Sequence, residues 1–117
     1  MRLGRTVLPF IIVALVTTVA IEAQEYPVDV TRGKVVYESH CQSYHGSKGR
    51  RDGPEATPLK VRPTDFHRFR SFLKSDEELL KTVEHGVVFS PMRSWRGQLI
   101  DGEINDVVAY MRFLSQL

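Results

Sequence analysis

The chain has 117 residues, enough for one domain. Its 16 Lys and Arg against 14 Asp and Glu leave a formal charge of +2, which gives no electrostatic case for nucleic-acid binding. Cys41 is the single cysteine, so an internal disulfide is excluded. A domain this small buries a modest core, and a large apolar cofactor is one way to complete it.

Arg2 and Arg5 precede an almost wholly apolar run from Val7 to Val19, and Ala20-Ile21-Glu22-Ala23 follows with small residues. A basic start, a short apolar stretch and a small-residue exit read as a secretory signal over residues 1–23. The run is shorter than the roughly 18 residues of a spanning helix. Cleavage after Ala23 or Ala20, or an uncleaved membrane anchor, are the alternatives. The domain then occupies residues 24–117.

Pro27 keeps the lead-in extended. Thr31 is read as the N-cap of a helix from about Arg32 to Ser39, carrying Val35, Val36 and Tyr37. Cys41 to Pro63 is rich in Gly, Pro and charge and reads as loop. Pro63-Thr64-Asp65-Phe66 opens a second short ordered stretch. Ser75-Asp76-Glu77-Glu78 is a capping box, followed at helical spacing by Leu79, Leu80 and Val83 and stopped by Gly86. Val87 to Gly97 reads as loop, broken by Ser90-Pro91. Asp101 is read as the cap of a last helix whose stripe is Ile104, Val107, Val108, Met111 and Leu114, flanked by Tyr110. No segment alternates as a strand. The expected fold is all-α, with about three main helices. Loops this long in so small a domain point to function or to wrapping around something.

The chemistry concentrates at Cys41-Gln42-Ser43-Tyr44-His45-Gly46. A haem c attachment site reads Cys-x-x-Cys-His, where two thiols add to the vinyl groups and the His binds iron. Tyr44 occupies the second Cys position here. The surrounding order includes Gly33-Lys34-x-x-Tyr37, Asp52-Gly53-Pro54, Pro63-x-Asp65-Phe66, Gly86, Ser90-Pro91-Met92, Trp95 and a closing Glu103-Ile104-x-x-Val107-x-x-Tyr110 helix. Taken together, these elements resemble the class I cytochromes c of the short bacterial type, over nearly all of residues 24–117.

The resemblance implies a cytochrome c fold wrapped around one haem c. His45 and Met92 would be the axial ligands of its iron, an electron-transfer arrangement. Cys41 would supply the attachment, with Tyr44 beside it and Trp95 closing the pocket, its indole N–H able to bond a propionate. Gly33 would lie where the first and last helices meet, opposite Tyr110. Phe66, Leu79, Val83, Phe89 and Leu99 are candidates for the pocket lining or for ordinary core. His40, His67 and His85 are read as solvent-exposed.

Three positions depart from the family pattern. Tyr44 replaces the second thioether Cys, Arg51 stands where a Gly precedes Asp-Gly-Pro, and Arg93 stands where a Pro often follows the ligand Met. A positive φ at Arg51 would cost about 1 kcal/mol or more.

The function expected is a non-enzymatic, monomeric, periplasmic or exported electron carrier. It would serve redox protein partners and touch no membrane unless the signal segment stays attached. The alternative is a haem-binding or degenerate cytochrome c-like domain without electron-shuttle activity. The basic residues Lys48, Arg50, Arg51, Lys60 and Arg62, with His67, Arg68 and Arg70, form either a solvated surface or a docking patch for an acidic partner.

Overall fold

The computed structural model describes Gly4, residues 26–68 and residues 73–117. The segment read as a secretory signal lies outside the described residues apart from Gly4, as does part of the stretch opened by Pro63. Four helices appear among the described residues. They are α1 (Val30–His40), α2 (Gln42–His45), α3 (Asp76–His85) and α4 (Asp101–Ser115). There is no strand among them, only an isolated bridge between Arg96 and Leu99. The fold is all-α, as the periodicity predicted. No helix among the described residues is long and apolar enough to cross a membrane.

The helix starts follow local hydrogen-bond chemistry, and two differ from the sequence reading. Asp29, not Thr31, caps α1: its carboxylate accepts from the Thr31 and Arg32 amides at 2.7 and 3.1 Å. A carboxylate complements the positive end of the helix as well as its unpaired amides. Those amides hold the Asp29 carboxyl below its ordinary range. Asp101 is likewise the first helical residue rather than the cap. Ile100 precedes it, and its N–H donates to the Glu103 carboxylate at 3.0 Å. The Ser75 box forms as read, with Ser75 N–H on Glu78 at 2.7 Å and Glu78 N–H on Ser75 Oγ at 3.1 Å. A third correction concerns the segment after Cys41. It continues as the helical turn α2, and the irregular chain begins only at Gly46.

α1 packs most extensively on α4. Val36 and Tyr37 from α1 meet Ile104, Val107, Val108, Tyr110 and Leu114 from α4, while Val35 faces outward. Tyr37 is fully buried. Its ring meets Tyr110 edge-on at 5.3 Å, and its hydroxyl donates to the Gly46 carbonyl at 2.7 Å. One side chain therefore ties the α1–α4 core to the end of α2. Asp106 was not anticipated from the sequence. It is buried, and it accepts from Arg32 Nε at 2.8 Å and from the Asp29 amide at 2.7 Å. Burial of a carboxylate is tolerated because both oxygens are paired.

Candidate functional site

A cavity of about 460 Å³ opens between α2, the chain that follows it, α3, the loop after α3 and the inner face of α4. Its wall is mainly apolar, built from Leu59, Val61, Phe66, Leu79, Val83 and Met111. Cys41, Tyr44, His45, Met92 and Trp95 all line this one cavity, although His45 and Met92 stand far apart in the sequence.

α2 delivers His45. The His45 N–H donates to the Cys41 carbonyl at 2.9 Å, and the His45 carbonyl accepts from Arg51 N–H at 2.9 Å. The imidazole lies over Phe66, with ring centres 4.9 Å apart and planes 23° from parallel. Its Nδ1 is buried without a hydrogen-bond partner among the described residues. Burial lowers the His45 pKa below its ordinary value, and the nearby Thr64 backbone offsets this only in part. Burial thus favours the neutral ring, the form in which imidazole binds a metal.

The loop after α3 delivers Met92. Val87 N–H donates to the Met92 carbonyl at 2.9 Å, and Met92 N–H donates to Ser90 Oγ at 3.1 Å. The loop folds back over Gly86, whose φ is 72°. A Cβ at Gly86 would stand 2.6 Å from the Met92 carbonyl oxygen, so glycine serves here both for its backbone conformation and for the close approach. Trp95 follows and is buried. Its backbone N–H donates to the Val83 carbonyl at 3.2 Å, and its ring contacts the His40 ring at 5.1 Å and the Arg93 guanidinium at 4.6 Å.

Cys41 closes α1, its N–H on the Tyr37 carbonyl at 2.8 Å. Burial pushes its thiol up to about 12. Tyr44 is partly exposed at the cavity edge.

The remaining candidates divide. Phe66, Leu79 and Val83 line the cavity, whereas Leu99 belongs to the core away from it. Phe89 does neither: it is fully exposed with φ 58°, because the turn that folds Met92 inward turns Phe89 out. His40 and His85 are exposed, but His67 is half-buried, a ring nitrogen 2.7 Å from the Lys48 carbonyl. Arg51 adopts a positive φ of 60°. Sequence reasoning missed Leu59, Val61 and Met111 as wall residues. The signal for the first two was a pair of apolar side chains inside an otherwise polar, Pro-rich segment.

A family model described as cytochrome c oxidase, cbb3-type, subunit III matches residues 28–111. The chain belongs to this cytochrome c family. Its fold is similar to a chain of the reducing HAO-like protein complex of Kuenenia stuttgartiensis, with a TM-score of 0.66 and 26% identity. That match covers 76% of this chain and 45% of the other, so this cytochrome c domain spans under half the length of its structural relative. Comparison with curated proteins gives no match.

Membership brings haem c and its iron. The residues present fit that group. One apolar cavity carries a thiol, a neutral imidazole with an unpartnered buried nitrogen and a thioether, the donor types that haem c takes from a protein. The fit has one gap: Tyr44 offers no second thiol.

Proposed function

We propose that this chain is an exported, single-haem electron carrier, with haem in the cavity, His45 and Met92 as its axial ligands and Cys41 as its one covalent attachment. The observation that supports this reading most is that Cys41, His45 and Met92 all line one apolar cavity. When bound, haem iron supplies a one-electron couple. The protein's own contributions are separable. Burial favours the neutral form of His45, and its ring stacks on Phe66. Met92 is fixed by a loop that hydrogen-bonds to itself, and a soft thioether favours the ferrous state. The apolar wall excludes water and lowers the local dielectric.

Cys41 carries a second implication. A thiol with its pKa near 12 is a poor nucleophile at neutral pH. Burial of the Cys41 thiol thus favours attachment before the fold closes around the haem. With both His45 and Met92 on the iron no position would be left for a substrate, so the reading is of a carrier rather than an enzyme. The Arg2/Arg5 lead and the short apolar run support export to the periplasm, where redox proteins would be the partners.

The test is an absorption spectrum of the exported, purified protein with and without dithionite. A sharp low-spin ferrous spectrum is expected. A protein that carries no haem after export would refute the reading.

A further inference from the structure

The cavity is asymmetric in charge. Arg62, Lys74, Arg93 and Arg112 all border it, and no Asp or Glu does among the described residues. Arg112 is paired with Asp76 at 2.7 Å. Arg62, Lys74 and Arg93 make no ion pair among the described residues, and all three are exposed residues that line the cavity. Three cations without a counter-ion line an apolar cavity, and a purely apolar occupant would not neutralise them. An occupant with an apolar body and anionic groups at its open edge would. Haem has this shape, since it carries two propionate carboxylates.

Resting on the function proposed above, we propose that Arg62 and Arg93 form a carboxylate clamp for the haem propionates, with Lys74 adding charge nearby. Arginine suits the role better than lysine because its planar fork meets both oxygens of a carboxylate. Arg93 is also pre-positioned. Its guanidinium stacks on the buried Trp95 ring at 4.6 Å, which limits the freedom it would lose on binding. Arg93 is the residue that stands where the family often has Pro. Arg62 leaves the chain between Val61 and Pro63, which both line the cavity.

The test uses the full chain carrying Cys41→Ala, produced without export so that no thioether forms. It is titrated with metal-free protoporphyrin IX, with its dimethyl ester, and with haemin. The diacid is expected to bind about tenfold or more tighter than the ester, the scale of one charge-assisted hydrogen bond. Arg62→Gln with Arg93→Gln should abolish most of that preference. Both side chains are exposed, so circular dichroism of the variant should match the parent. Equal binding of diacid and ester, or a preference that survives in the double variant, overturns the clamp while haemin binding leaves the haem reading intact. Failure to bind any of the three overturns both. In the exported, haem-loaded protein the same double variant should have a lower midpoint potential, because cations beside the haem favour the ferrous form. An unchanged potential would assign the two arginines to partner docking and overturn the clamp.

Discussion

Gly33 on α1 lies directly beneath the backbone of Asp106 on α4, so close that a Cβ on it would stand 1.9 Å from the Asp106 carbonyl oxygen. No rotamer change relieves a clash with backbone; the helices themselves would have to part. Since α1 carries Tyr37 and leads into Cys41 and His45, this approach sets the distance between the Cys41–His45 segment and the rest of the core.

Gly33→Ala is therefore expected to destabilise the domain by about 1–3 kcal/mol, despite a gain of up to about 1 kcal/mol in helix propensity. Urea unfolding of the haem-free and haem-loaded chains would measure it. A stability equal to or above wild type would show that the helices can separate at no cost.

Arg51 offers the opposite case. A side chain at φ 60° carries strain that glycine does not. Relief of that strain exceeds the extra unfolded-state freedom of glycine, so Arg51→Gly should stabilise by about 0.5–1 kcal/mol. Thermal unfolding of the two proteins at one pH would decide it, and a lower midpoint for the variant would contradict the argument.

These two positions also show what was legible beforehand. The stripe on α4, the Ser75 box, the Gly86 stop and the convergence of Cys41, His45 and Met92 follow from periodicity, capping chemistry and family pattern. The Gly33–Tyr110 neighbourhood was readable because the family pattern sets a glycine of the first helix opposite an aromatic ring of the last. The Asp106–Arg32 pair was not, since a lone acidic residue beside an apolar stripe looks solvated until the partner helix is placed over it. Phe89 failed for a related reason. Hydrophobicity says nothing about which way a tight loop turns a side chain, and the loop that points Met92 inward spends Phe89 on the outside. Leu59 and Val61 were hidden by the polar, Pro-rich composition around them.

The Cys41 thiol gives a pH prediction. Its ordinary value is 9.0, and burial raises it to about 12 in the folded chain. The folded state thus holds a proton that the unfolded state releases. The stabilisation is fully present below 9 and is lost as pH rises toward 12. In the haem-free chain, alkylation by iodoacetamide at pH 8 should be slow, and it should accelerate strongly in urea. The folded-state rate should keep rising above pH 10, where the unfolded rate has levelled off. Equal rates in both states would show that the thiol is not buried.

Tyr44 cannot take the place of a thiol, because a phenol is neither acidic nor nucleophilic enough at neutral pH. One vinyl group should remain conjugated with the porphyrin, placing the reduced pyridine haemochrome band at longer wavelength than for a doubly attached haem. Tyr44→Cys should move the band back and raise the thermal midpoint. Cys41→Ala should make the haem extractable by acidified organic solvent. A wild-type band already at the doubly attached position would contradict single attachment.

The central claim is that Met92 closes the iron opposite His45, and carbon monoxide tests it most directly. Reduced wild-type protein should show no spectral change under carbon monoxide, because both axial positions are filled. Met92→Ala should bind the gas readily and lose the weak long-wavelength ferric band that a thioether ligand gives. Ready carbon monoxide binding by the wild type, with a spectrum that Met92→Ala leaves unaltered, would contradict the account.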